Sequence, residues 1–241
     1  MDRPRDATET ISTGFRATYS RSVATVDQLR RGARLHSLLF AAHLARSPER
    51  PYDVTWEGLR YRRSERDGTR GAISFSKLGV VALFYDPKSK EGPLELKKAY
   101  KLDAQLKGMP PQFAQHLKRE SVFDAMDVDG GGTLAPVVTA TFWSERDGSL
   151  KGPKPWEKIV EDGGHLVATE LLAPEEAADA FAQKYGLSSA QADVAKRVFG
   201  GKAMAEPSNA KVTLAEADRL TLGILVTPVV RELLEGAGIN L

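Results

Sequence analysis

Gly79-Val80-Val81-Ala82-Leu83-Phe84-Tyr85 is the stretch from which the fold is read. It is short, β-branched and aromatic, and Asp86-Pro87-Lys88-Ser89 closes it with turn chemistry, so it reads as a strand rather than a helix. It belongs to an apolar segment, Ala72 to Tyr85, that fits one strand or a strand pair. Upstream, Tyr52, Val54 and Trp56 alternate with Asp53, Thr55 and Glu57, the period of a half-buried strand. Arg60-Tyr61-Arg62-Arg63 continues that strand, and Asp67-Gly68 signals the turn between the two segments. The predicted unit is a β-hairpin with arginines along it.

Flanking segments set the class. Ser22 to Ala45 carries apolar residues at helical steps with Arg30, Arg31 and Arg34 between them, and Pro48 and Pro51 end it. Leu94 to Leu106 is basic and fits helix or strand. Gln112 to Met126 reads as a helix, Thr133 to Trp143 as a strand, Pro155 to Lys158 as the start of a short helix and His165 to Leu172 as a further strand. Beyond Leu172 the pattern turns helical. Pro174-Glu175-Glu176 opens one helix, Ser188 and Gln191 form a capping box for a second, and Thr213 and Glu216 do so for a third, running from Leu214 to Glu235 and bent at Pro228. Strands and helices do not alternate as a doubly wound sheet requires. The expectation is an α+β fold with an N-terminal helix, a small, mostly antiparallel sheet and a helical C-terminal subdomain. The domain reading is a loose arm over 1–20, an α+β domain with the basic hairpin over 21–172 and a helical subdomain over 173–241.

Composition excludes several chemistries. None of the 241 residues is cysteine, which removes disulfides, thiol nucleophiles, iron–sulfur clusters and thiolate zinc sites. A cytoplasmic location is the simplest expectation, and the alanine- and arginine-rich composition has a bacterial cast. The charged N-terminus is not followed by the apolar run of a signal peptide. The longest apolar tracts, Leu35 to Leu44 and Leu222 to Val230, fall short of the ~20 residues a membrane-spanning helix needs, so no membrane partner is expected. Residues 1–120 carry 23 basic and 14 acidic side chains, a net +9, while 121–241 carry 11 and 18, a net −7. The asymmetry fits a binding surface on the first half, or two halves that face each other.

Ser64-Glu65-Arg66-Asp67-Gly68 recurs as Ser144-Glu145-Arg146-Asp147-Gly148. The flanks differ, so recurrent turn chemistry explains it better than duplication.

Asp127-Val128-Asp129-Gly130-Gly131-Gly132-Thr133-Leu134 resembles the first two-thirds of an EF-hand calcium loop. The resemblance implies Asp127 and Asp129 as carboxylate ligands, Gly132 as the bend and Leu134 as the apolar anchor. The pattern then departs: Ala135, Pro136 and Val138 stand where later ligands should be, so a calcium ion would lack most of its usual six to eight oxygens. The same Asp-x-Asp is similar to the motifs of haloacid-dehalogenase-type phosphatases, although Thr133 comes two residues late, and of metal-dependent glycosyltransferases. A divalent cation at Asp127 and Asp129 would serve a hydrolase or transferase; otherwise the segment is a glycine-rich turn before a strand.

Of the four histidines, His36 and His43 stand seven apart on the predicted helix, too far to share a metal ion, and read as core or surface residues. His165 follows Gly163-Gly164, where an exposed imidazole could serve acid–base chemistry with Asp147, Asp162 or Glu170 to orient it. No nucleophile elbow, Walker A loop, dinucleotide fingerprint or His-Glu-x-x-His is present.

Arg60, Arg62, Arg63, Arg66 and Arg70, with Trp56 and Tyr61, form the binding candidate. Arginines clamp carboxylates and phosphates, and aromatics stack on bases. Lys97, Lys98, Lys101 and Lys107 could extend the surface. The leading expectation is a non-catalytic binding protein, an adaptor or toxin neutraliser, docking an acidic protein partner through this hairpin. A nucleic-acid-binding accessory protein using the same residues is the alternative.

Overall fold

The computed structural model describes residues 25–92, 100–129, 134–146, 148–201, 203 and 207–241. The expected arm, Lys97, Lys98 and Asp147 lie outside them. Helix α1 (Val26–Leu44) begins where the Thr25 side chain accepts the Gln28 N–H at 3.1 Å. Strands β1 (Val54–Glu57), β2 (Arg60–Ser64), β3 (Arg70–Ser76) and β4 (Gly79–Tyr85) follow, then helices α2 (Leu102–Gln105) and α3 (Pro111–Arg119) and a 3-10 turn over Val122–Met126. Strands β5 (Asp127–Asp129), β6 (Leu134–Pro136) and β7 (Ala140–Glu145) lead to α4 (Trp156–Glu161) and two 3-10 turns, Gly164–Val167 and Thr169–Leu171. The chain ends with α5 (Pro174–Tyr185), α6 (Ser189–Phe199), β8 (Val212–Thr213), α7 (Glu216–Leu222), α8 (Pro228–Gly236) and β9 (Ile239–Asn240).

The architecture is α+β. The main sheet is antiparallel, in the order β1-β2-β3-β4-β7. Tyr61, Ile73, Phe75, Val80, Ala82, Phe84 and Phe142 are buried with α1 and with Phe181, Phe199 and Leu234 of the C-terminal helices. Residues 173–241 therefore share one core with the sheet. Ala72, Val81, Leu83, Tyr85 and Trp143 are buried on the opposite face, with Phe113, Leu117 and Met126. Because both faces of β4 are covered, all seven of its residues are buried, which explains why no polar alternation shows in its sequence. No helix among the described residues is long and apolar enough to cross a membrane.

Several local expectations are corrected. The stretch Tyr52 to Arg63 is not one strand: Gly58, at φ +61°, turns the chain, and Trp56 pairs with Tyr61 across the resulting hairpin. The segment after Gln112 leaves the α-helix at Arg119, where Ser121 takes φ +49°. The strand expected up to Trp143 breaks after Pro136, because the Val137 N–H turns to the Met126 carbonyl and the Thr139 N–H to the Phe84 carbonyl. His165 to Leu172 forms 3-10 turns rather than a strand. The long C-terminal helix is two. Gly223, left-handed at φ +68°, stops α7, and Pro228 starts α8, whose first turn Thr227 caps at 3.2 Å from the Val230 N–H. Thr213 pairs with Asn240 in β8–β9 instead of capping α7.

Candidate functional site

Strand β2 divides its side chains between two environments. Tyr61 and Arg63 point into the core below α1, while Arg60, Arg62 and Ser64 alternate with them on the outer face and stay half-buried.

The inward pair enters a buried polar cluster. Arg63 Nη1, the Tyr61 hydroxyl and His36 Nδ1 each lie 2.9 Å from Glu170 Oε1. Arg63 also donates to the Leu166 carbonyl. His36 Nε2 lies 2.5 Å from the Tyr185 hydroxyl, and Phe181 stacks on the imidazole at 4.0 Å. A neutral imidazole with its proton on Nδ1 donates to Glu170 and accepts from Tyr185, which satisfies both ring nitrogens. Glu170 reaches this point because Gly32 lets α1 approach it: a Cβ on Gly32 would stand 1.9 Å from the Glu170 carbonyl oxygen.

Burial pushes the Glu170 carboxyl up, but the Arg63 guanidinium and the His36 hydrogen bond more than reverse this and hold it at about 2. Burial, reinforced by Arg63, pushes His36 down to about 3 against the pull of Glu170. Burial also raises Tyr61 and Tyr185, so both phenols stay protonated. His36, Tyr61 and Glu170 are withdrawn from solvent completely, and no substrate can reach them. The cluster ties β2 to α1 and to the turn that carries Glu170.

The outward side chains form the candidate site. Arg62 and Arg70 line a groove of about 300 Å³ together with Tyr52, Thr55, Ser64 and Ala125. Arg70 is held at three points: Nε donates to the Ala125 carbonyl at 3.0 Å, Nη2 to the Asp127 carbonyl at 2.6 Å, and the guanidinium sits 4.5 Å from the Tyr85 ring centroid. Arg62 pairs with Glu57 at the groove's margin. Arg60 donates to the Ser121 carbonyl at 3.2 Å and faces the same Glu57. Arg66, at the β2–β3 turn, is 79% exposed and only loosely opposite Glu49, at 3.9 Å.

The expected surface is thus divided. Arg60, Arg62, Arg66 and Arg70 lie outside the core; Tyr61, Arg63 and Trp56 lie within it. Trp56 donates to Ser37 Oγ at 2.8 Å and stacks on Phe75, which leaves no face for a base. His165 is exposed, with Nδ1 3.2 Å from the Val160 carbonyl. The groups offered to orient it are engaged elsewhere: Glu170 holds His36, and Asp162 binds Ser89 Oγ at 2.7 Å and Lys154 Nζ at 3.0 Å. The Asp127 carbonyl serves Arg70, while Gly130 to Thr133 and the Asp129 side chain lie outside the described residues. Among the described residues no three His, Asp or Glu side chains gather as a metal site. His116, which sequence reading left unassigned, meets Ser74 Oγ at 2.8 Å and ties α3 to the sheet.

The sequence reading missed the Glu170 cluster. Its signal was the alternation of Tyr61 and Arg63 with Arg60 and Arg62, which places one arginine inside.

No protein-family model, curated protein or solved structure matches this chain.

Proposed function

We propose that this chain is a non-catalytic, bacterial-type cytoplasmic binding protein, an adaptor or toxin neutraliser, that docks an acidic protein partner through Arg60, Arg62, Arg66 and Arg70. The observation that supports this reading is the division of β2. The buried Arg63–Glu170 pair fixes the strand from inside, so the outer arginines face away on a rigid support. Arg62 and Arg70 then present cationic groups in a groove, and Arg66 stands exposed at the β2–β3 turn, only loosely opposite Glu49. Such a surface complements negative charge and accelerates encounter with it.

The test is affinity purification from source cells with nuclease, at low and high salt, using the native chain and an Arg62→Glu/Arg66→Glu variant. One acidic protein retained in stoichiometric amount by the native chain and lost from the variant is the expected result. Retention unchanged by the variant overturns the reading, and nuclease-sensitive recovery of nucleic acid replaces it with a polyphosphate surface, marked by a steep salt dependence.

A further inference from the structure

We infer that the groove between Arg62 and Arg70 is a recognition pocket for one aspartate or glutamate side chain of an extended acidic segment. This rests on the docking function proposed above and names what the partner places in the site.

Arg70 is preorganised. Two backbone carbonyls and the Tyr85 ring fix its guanidinium, so a ligand does not have to order it. Arg62, on the neighbouring strand, already binds a carboxylate, that of Glu57. Glu57 acts as an internal stand-in at the margin of the groove and shows the kind of anion the site accepts. The planar fork of arginine suits a carboxylate, which it can grip through two N–H groups at once.

The groove is small and carries an acidic group of its own. A volume of about 300 Å³, at the lower bound for ligand sites, leaves room for a side chain of a docked segment. Glu57 also lines the groove, and its negative charge would face any chain of phosphates laid along it. One carboxylate of the segment displaces Glu57 from Arg62 and takes its place. Tyr52, 68% exposed on the groove wall, offers an aromatic face to the stem of the bound residue.

The experiment is a titration of the full, isotopically labelled chain with capped hexaglutamate, and separately with a twelve-residue oligothymidylate, followed by amide and arginine Nε resonances. Hexaglutamate should shift Tyr52, Thr55, Ala125 and the Arg62 Nε signal. Arg62→Gln should weaken binding about tenfold and Arg66→Gln less than twofold. Glu57→Gln should strengthen binding several-fold, because it removes the internal competitor; loss of fold could not produce that gain. Peptide shifts confined to the Arg66 turn overturn the pocket and leave the docking surface standing. Failure of hexaglutamate to bind, with the native partner still lost from the charge-reversed variant, has the same meaning. Oligothymidylate shifting the groove at lower concentration than the peptide overturns the acidic-segment assignment, and if neither probe binds and no partner is captured, both readings fall.

Discussion

Arg63 and Glu170, 107 positions apart, meet at 2.9 Å, one on β2 and the other on a 3-10 turn packed against α1, with Glu170 wholly excluded from water. Three donors converge on one carboxylate oxygen. Removing one partner strands the other charge in the core. Glu170→Gln should therefore cost about 3–5 kcal/mol of stability. Arg63→Met combined with Glu170→Leu should cost less than the two single changes added. Urea unfolding of Glu170→Gln beside the native chain checks the first statement, and a double-mutant cycle of the native chain, Arg63→Met, Glu170→Leu and the double variant checks the second.

Acid should unfold the protein in two overlapping windows. His36 has a folded pKa of about 3, below the ordinary 6.5. It contributes stability above pH 6.5 that is lost as pH falls towards 3. Glu170, at about 2 against an ordinary 4.5, contributes stability above pH 4.5 that is lost as pH falls towards 2. Each proton taken up steepens the loss by about 1.4 kcal/mol per pH unit. Burial also lowers His43 and His116, which adds loss of the same sign. Comparison of the native chain with His36→Gln isolates the His36 share: between pH 6.5 and 4.5 the variant's stability should fall more gently. Equal slopes would remove His36 from this account.

Arg34 holds the C-terminal end to α1. Its guanidinium donates to the carbonyls of Ala237, Ser208 and Ala210, each at 2.7 Å, and of Gly238 at 3.1 Å. Arg34→Met should destabilise by roughly 3–5 kcal/mol, because it leaves buried acceptors unmade. Arg34→Lys should recover little, since one ammonium cannot span carbonyls arranged around a planar fork. Hydrogen exchange should quicken at Val212 and Leu214, whose amides bond to Gly238 and Asn240.

Gly32→Ala should force α1 away from Glu170, since the new methyl would overlap the backbone carbonyl. Overpacking of this kind costs about 1–3 kcal/mol, or about 2–4 °C in Tm per kcal/mol at this size. A Tm within one degree of the native value would show that the helix and the turn can separate freely.

What could be read from the sequence was local. The box formed by Ser188 and Gln191 caps α6 as expected, because both partners lie within one turn. The repeated Ser-Glu-Arg-Asp-Gly makes similar backbone bonds in both copies, from Gly68 to the Glu65 carbonyl and from Gly148 to the Glu145 carbonyl, without any shared flank. Gly58 and Gly223 were local turns that went unread; the other failures were contacts between distant residues. Thr213 and Glu216 have the right spacing for a cap, but Leu214 donates to Asn240 at the chain's end and the strand prevails. Residues 165–172 read as a strand, yet they form compact 3-10 turns, one of which packs closely against Gly32 of α1. His36 and Glu170, 134 positions apart, could be paired only once the fold was known.

The arginines of β2 are chemically identical, but mutation meets them under different rules. Arg63 answers to the core, and a change there threatens the whole molecule. Arg60 and Arg62 answer to whatever lies outside, and substitution at either leaves the buried pair intact. On the docking function proposed above, a lineage could therefore exchange one partner for another by altering outward positions of a single strand, while selection on folding holds the alternate positions still.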